Sequence, residues 1–284
     1  MIRLNIQRAG VLWNPTKGDG LPVAIKLISL LARHGCGVCA DAKLARILHC
    51  ESLPADGDPG CDVLFVLGGD GTLLSALDYA VPYQIPMLGI NLGRMGFLTE
   101  LEPDELEEDV DRLFSGDFRF DDRMLMEMDD GPRGAFSMND VVFSRKSVTT
   151  GILSIETKVD GRFVDRLSGD GLIVASATGS TAYSLSAGGP IVTPGMECFL
   201  LTPICAHTMN ARPVIASADV AVTVRVLDKP AEACAVFDGR YRFDLSPKTP
   251  GITIRRSRRV ARFIRMRDRN YFELLRNKLS EWTH

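Results

Sequence analysis

No uninterrupted apolar run in this 284-residue chain is long enough to cross a bilayer, which excludes a conventional membrane-spanning helix. Its first residues, Met1-Ile2-Arg3-Leu4-Asn5, lack the charged-then-apolar order of a secretory signal. A basic excess is missing too. With 33 Lys and Arg against 36 Asp and Glu the net charge is −3, which argues against a dedicated nucleic-acid binder. The seven cysteines are scattered, and Cys36-Gly37-Val38-Cys39 is the one close pair. No second cysteine pair completes a zinc or redox site around it, so a reducing, cytoplasmic location is expected.

Two nucleotide motifs are also lacking. There is no Gly-x-x-x-x-Gly-Lys-Ser/Thr loop. Val23-Ala24-Ile25-Lys26 spells the lysine motif of protein kinases, but it falls in a helical pattern, and no His-Arg-Asp or Asp-Phe-Gly segment follows.

What remains is a globular composition, 45% hydrophobic and 24% charged, long enough for two domains. Val11–Trp13 reads as a first strand. Pro22–Arg33 carries Ala24, Leu27, Ile28 and Leu31 at helical spacing, with Gly35 as a stop. A short strand, a helix at Lys43–Leu48 and a polar loop at Pro54–Gly60 follow. Val63–Leu67 and Ile85–Ile90 are then apolar strands, and this alternation predicts a doubly wound α/β sheet. Glu102–Phe114 is an acidic amphipathic helix with Pro103 at its start and Gly116 at its end, its acidity read as a solvated face. From about Phe118 the pattern becomes short strands: Met124–Met128, Phe136–Arg145, Ile152–Val159, Phe163–Leu167, Val220–Leu227, Ala233–Phe237, Arg240–Leu245 and Ile252–Arg255. Asp129-Asp130-Gly131-Pro132 and Asp160-Gly161 are hairpin turns between them. The expected division is an α/β domain over 1–117, a largely antiparallel β domain over 118–267, and a terminal helix at about 268–284 returning to the first. That helix carries Phe272, Leu275 and Leu279 on one stripe. Arg255-Arg256-Ser257-Arg258-Arg259 is expected in an exposed turn or edge strand.

Three stretches are candidates for chemistry. Gly68-Gly69-Asp70-Gly71-Thr72 joins a buried strand to Leu73–Leu77. Its glycines permit positive φ and close ligand approach, and the helix start offers free N–H groups to a phosphate. Asp70 either caps that helix or handles a proton or metal beside the phosphate. Asn139-Asp140 interrupts an apolar run and suits a base edge or ribose hydroxyls, or else marks a β-bulge. Gly169-Asp170-Gly171, an apolar strand, and Thr178-Gly179-Ser180-Thr181-Ala182-Tyr183-Ser184-Leu185-Ser186-Ala187-Gly188-Gly189-Pro190 follow. A flexible linker explains glycine and serine but not the strand running into them; a short helix closing over a polar ligand explains both.

These stretches, in this order, together with Gly89–Leu98, Thr202–Thr208 and Arg212-Pro213, closely resemble NAD kinases. The resemblance implies phosphoryl transfer from ATP or polyphosphate to the 2′-hydroxyl of the adenosine ribose of NAD. It makes Asp70 the proton acceptor, and it lays Gly68, Gly69, Gly71 and Thr72 along the donor phosphates. It places Asp70, Gly71, Phe97, Asn139, Asp140, Asp170, Thr178, Thr181, Ala182, Tyr183, Ser184, Leu185 and Ser186 at the dinucleotide. Mg²⁺ would be carried with the donor phosphates, with no protein metal site, and the chain would form a homodimer or homotetramer. The chain departs from the family pattern at Ser168, Ala177, Ala206 and Arg240. His207 is read as structural. A lipid kinase shares the glycine-aspartate loop but would need an apolar cleft for an acyl chain. A non-catalytic dinucleotide sensor would have no use for Asp70.

Overall fold

A computed structural model of the chain describes residues 4–16, 20–93, 96–129, 135–147, 149, 151–207 and 210–281. Arg94, Met95 and Thr208 of the motifs above, the Asp130-Gly131-Pro132 turn and the first three residues lie outside the described set. The chain divides into two compact units, Met1–Asp122 with Ala261–His284, and Arg123–Val260.

The first unit opens with β1 (Arg8–Trp13), α1 (Gly20–Arg33), β2 (Gly37–Ala40), α2 (Ala42–Leu48), β3 (Glu51–Ser52), β4 (Val63–Gly68), α3 (Asp70–Ala80), β5 (Met87–Asn91) and α4 (Leu106–Ser115). The strands are parallel in the order β3-β2-β1-β4-β5, so the direction of winding reverses between β1 and β4. Every residue of β4 and β5 is buried, as expected of interior parallel strands. α1 buries Ala24, Leu27, Leu30 and Leu31, which pack with Val11, Phe65 and Leu88 in the core. Val23-Ala24-Ile25-Lys26 lies inside that helix. Gly35 takes φ 70° just beyond it. Asp41 caps α2 through the N–H groups of Lys43 and Leu44. A 3₁₀ turn at Pro103–Glu105 precedes α4, and Gly116 ends it at φ 81°. The acidity of this segment is more than a solvated face: Asp109 is buried and pairs with Arg267 at 2.8 Å.

The second unit is antiparallel. It contains most of β6 (Arg119–Met128), then β7 (Phe136–Ser137), β8 (Asp140–Arg145), β9 (Leu153–Val159), β10 (Arg162–Gly169), β11 (Gly171–Ser176), α5 (Tyr183–Ser186), β12 (Cys198–Ile204), β13 (Val214–Ser217), β14 (Val222–Val226), β15 (Ala233–Phe237), β16 (Tyr241–Asp244) and the first ten residues of β17 (Gly251–Arg265). One sheet runs β10-β9-β14-β17 and the other β13-β12-β11-β8-β15-β16. Val141, Phe143, Val174 and Phe199 of the second sheet share a core with Leu153, Ile155, Val222 and Ile254 of the first. Alternate residues of β11, Ile173 and Ala175, face another apolar cluster, so this strand is buried on both sides. Asp160 and Gly161 take φ 48° and 75° at the tip of the β9–β10 hairpin, the signature of a tight primed turn.

Two strand expectations need correcting. Phe136–Arg145 is not one strand; it breaks at Met138-Asn139, for a reason given below. Arg255–Arg259 is not a turn but the interior of the 15-residue β17. Its arginines meet acids: Arg255 bonds Asp129 at 2.7 Å, Arg256 bonds Glu197, and Arg259 lies 3.7 Å from Glu127.

The chain re-enters the first unit at Ala261. Phe263 pairs with Met87 of β5, and α6 (Tyr271–Glu281) ends the described chain. Phe272 and Leu279 of its stripe remain exposed. No helix among the described residues is long and apolar enough to cross a membrane.

Candidate functional site

In the first unit the candidate loop sits at the carboxyl ends of β1 and β4, where the winding reverses. Ligands in open α/β sheets bind at such switch points. Asn14 follows β1, and its Nδ2 donates to Thr72 Oγ1 at 3.3 Å, tying the two strand ends together. The Thr72 hydroxyl accepts that bond, so its own proton is free to donate elsewhere. Gly68, Gly69 and Gly71 do not use positive φ. Their value is space. A Cβ on Gly68 would lie 2.3 Å from Thr72 Oγ1, whereas Gly69 and Gly71 face open space within 4 Å. Asp70 and Gly71 occupy the first turn of α3, where backbone N–H groups have no intrahelical acceptor.

Asp70 does not cap its own helix; Gly69 holds the cap position with no side-chain bond. Its carboxylate instead accepts the Phe97 N–H at 2.8 Å and the Leu98 N–H at 3.0 Å, one on each oxygen. Gly96 makes this possible, because a Cβ there would come within 1.9 Å of Asp70 Oδ1. Each oxygen of Asp70 keeps a lone pair able to take a proton. Phe97 is half-buried, with Tyr271 of α6 at 6.3 Å between ring centroids.

In the second unit the organiser is Asp238, a residue that sequence reading did not single out. Its side chain is fully buried. It accepts the N–H groups of Met138, Asn139 and Asp140 at 2.7, 2.9 and 3.0 Å, and the Ser137 hydroxyl at 2.6 Å. Three consecutive amides cannot all point at one carboxylate from a flat strand, so β7 and β8 separate there. Arg240 Nη2 reaches the Phe136 carbonyl at 3.2 Å, and the guanidinium lies over the Phe136 and Tyr241 rings. The departure at 240 thus becomes a packing element.

The turn presents Asn139 and Asp140. Asp140 is 7% exposed, and among the described residues nothing donates to its carboxylate. Burial, and then the neighbouring charge of Asp238, push its pKa up to about 7. The Thr178–Pro190 stretch closes on this turn. A Cβ on Gly179 would lie 2.0 Å from the Asn139 carbonyl oxygen, so only glycine admits the contact. Ser176 adds its N–H to Asn139 O at 2.9 Å and its hydroxyl to Met138 O.

Not all the hydroxyls of this stretch face outward. Ser180 exchanges bonds with the Val192 backbone, and Ser184 lies 2.8 Å from Thr202 Oγ1; both are fully buried. Thr178, Thr181, Ala182 and Leu185 are half-buried, and Tyr183 and Ser186 are exposed. Arg123 Nη1 lies 3.5 Å from Thr178 Oγ1. Asp170 stands between two glycines that abut backbone, at Ile204 O and Phe143 O. Its partner is Arg145 of β8 at 3.2 Å, so a guanidinium meets this carboxylate although Ser168 supplies none. Asn139, Asp140, Gly179 and Ser176 are therefore brought into contact. Asp70 and Phe97 are bonded in the other unit.

Comparison with known proteins adds to this geometry. Residues 10–118 match the ATP-NAD kinase N-terminal domain and residues 138–266 the ATP-NAD kinase C-terminal domain. A curated NAD kinase of Symbiobacterium thermophilum is 43% identical over 277 residues, covering 94% of this chain and 96% of that relative. The NAD kinase of Geobacter sulfurreducens is 40% identical, covering 90% and 92%. Among solved structures, an Archaeoglobus fulgidus NAD kinase in complex with ATP aligns at TM-score 0.77 and 26% identity, over 96% of this chain and 98% of its own. Yeast NADH kinase complexed with NADH shares the fold at TM-score 0.85 and 23% identity, over 98% and 89%.

Proposed function

The chain belongs to the NAD kinase family, and on that premise we propose how its residues divide the reaction. The protein transfers a phosphoryl group from ATP to the 2′-hydroxyl of the adenosine ribose of NAD, giving NADP and ADP. The 2′-oxygen bonds to the γ-phosphorus as the bond to the ADP oxygen breaks, and the hydroxyl proton passes to Asp70. A carboxylate is a far weaker base than an alkoxide, so Asp70 takes little proton from the hydroxyl in the ground state. It receives it late, once the oxygen is bonding to a metaphosphate-like group. The observation that carries this role is the placement of Asp70. The carboxylate is fixed by two loop amides at 2.8 and 3.0 Å and keeps a lone pair on each oxygen.

The donor phosphates lie along Gly68, Gly69, Gly71 and Thr72, with the open faces of Gly69 and Gly71 giving room and the Thr72 hydroxyl a donor. Magnesium belongs to this reading as the metal complex of the donor. Bound through the donor phosphates, it would neutralise charge on the transferring group. The dinucleotide takes the second-unit residues: Asp140 and Asn139 bond its hydroxyls or base edge, and Thr178, Thr181, Ala182, Tyr183, Leu185, Ser186 and Asp170 line its course. Ser184 supports that segment through Thr202.

Two coarser features follow. The edge strand β13 exposes Val214 and Ile215, while Lys146 and Arg242 pair with Asp244 at the opposite edge, β16. This favours a homo-oligomer. All seven cysteines are free thiols, which suits the cytoplasm.

Purified protein incubated with NAD, Mg²⁺ and ATP, beside the same mixture with polyphosphate, tests the activity. NADP formed with ATP supports the proposal as written, and product with polyphosphate alone reassigns the donor. Binding of NAD without product from either would replace the kinase by a dinucleotide sensor.

A further inference from the structure

The backbone that holds Asp70 is itself held from the far end of the chain. Leu98 gives its N–H to Asp70 Oδ1 at 3.0 Å, and its carbonyl accepts Arg265 Nη1 at 2.8 Å. Both polar backbone atoms of this one residue are thus committed, one to the carboxylate and one to the guanidinium. Arg265 is 7% exposed and is gripped in turn: Nε bonds Asp121 Oδ2 at 3.0 Å, and Nη1 lies 3.3 Å from Glu100 Oε2. Glu100 also accepts the N–H groups of Met266 and Arg267 at 2.9 and 3.0 Å, and its carbonyl accepts Arg269. The residues gripped by this network are themselves buried, with Leu98 3% and Glu100 2% exposed, so the loop has little freedom of its own. Here the loop's amides set the direction of the Asp70 lone pairs.

We infer that Arg265 is a positioning residue for phosphoryl transfer, fixing Leu98 so that the Leu98 and Phe97 amides hold Asp70 in one orientation. The inference rests on the kinase reading for its kinetic consequence, but not for its structural one. A lysine keeps the charge, but its three donors radiate from one nitrogen and cannot reproduce the planar fork that reaches Asp121 from Nε and Leu98 and Glu100 from Nη1. Misplacing a catalytic group by an ångström lowers turnover by about 10²-fold. Arg265→Lys is therefore expected to lower kcat by about 10- to 100-fold while KM for NAD and for ATP stays within about 3-fold.

The test uses Arg265→Lys and Arg265→Gln, made together so that one folded variant suffices, each alone and combined with Asp70→Asn. If Arg265 acts through Asp70, its loss adds little once Asp70 is gone; an independent structural role gives the full additional loss. Amide hydrogen exchange at Phe97 and Leu98, measured on the same proteins, reads the brace without any turnover. Faster exchange confined to that loop, together with the non-additive kcat loss, supports the inference. Unchanged exchange, unchanged kcat or an additive loss overturns it. Absence of NADP formation by the unaltered enzyme would instead sink the kinase reading, and the exchange result would still decide whether the brace exists.

Discussion

Replacing Asp140 by asparagine should stabilise the protein at pH 8 and cripple its grip on NAD. The carboxylate is 7% exposed, has no donor among the described residues and lies beside Asp238, which together raise its pKa from 3.8 to about 7. Between these two values the folded protein holds a proton that the unfolded chain has already released. Wild-type stability therefore falls as pH climbs from about 4 to about 7 and levels off above it. Each pKa unit corresponds to about 1.4 kcal/mol, so a rise from 3.8 to about 7 means the charged form costs the fold about 4 kcal/mol at pH 8. Asparagine has nearly the shape of the neutral acid and no charge to desolvate. Urea unfolding of the two proteins should give similar stability near pH 4, a growing gap as pH rises towards 7, and a variant more stable by about 4 kcal/mol at pH 8.

Binding runs the other way. Hydrogen bonds from hydroxyls to a charged acceptor contribute about 1.5–3 kcal/mol each, so losing the charge should raise KM for NAD by about 10- to 100-fold at pH 8. The wild-type affinity for NAD should also rise with pH through about 7, as Asp140 ionises, and the variant should lack that step. Equal stability curves at both pH values would mean that the carboxylate is neither desolvated nor unpartnered. An unchanged KM would remove Asp140 from the dinucleotide site.

The remaining expectations concern its neighbours and Asp70. Asp238→Asn puts an NH₂ group against one of four donors, so unfolding experiments should find a loss of about 3–5 kcal/mol, with weaker NAD binding; a near-neutral change would mean that the turn at Met138-Asn139 has another support. Gly179→Ala drives a Cβ to 2.0 Å from Asn139 O, and should cost about 1–3 kcal/mol of stability with an NAD dissociation constant raised by about tenfold or more in calorimetry. Asp70→Asn should cut kcat by about 10²–10⁴-fold with NAD affinity nearly unchanged, and near-normal turnover would take Asp70 out of the mechanism.

The parts of this fold that the sequence announces are those built from neighbours along the chain. Val63–Leu67 reads as a buried parallel strand because five apolar residues in a row leave no wet face, and the helix after Gly68–Thr72 follows from local spacing. The break at Met138-Asn139 could not be read this way. The carboxylate that causes it is about a hundred positions downstream, and nothing in Phe136–Arg145 says where three amides will find an acceptor. Arg265 and Leu98 are 167 positions apart, and Arg145 meets Asp170 only because β8 and β11 are hydrogen-bonded neighbours. Of the two freedoms read at Gly68, Gly69 and Gly71, positive φ is not used, and the one in use is the volume that a Cβ would fill.

The deepest limit concerns the aspartates themselves. Asp70, Asp140 and Asp238 all sit beside glycine or asparagine in polar breaks of apolar runs, and by residue type they are indistinguishable. What separates their roles is how far each carboxylate is satisfied. Asp238 takes four donors and is spent on structure. Asp70 takes two and keeps a lone pair on each oxygen, which suits a group that must be rigid and still accept a proton. Asp140 takes none among the described residues and is buried at a cost, as expected of a residue whose partners arrive with the substrate. On the proposed division of roles, the same side chain serves as scaffold, base or ligand contact according to the number of N–H and O–H groups pointed at it. That number is set by long-range pairing, so it is the fold that assigns the chemistry.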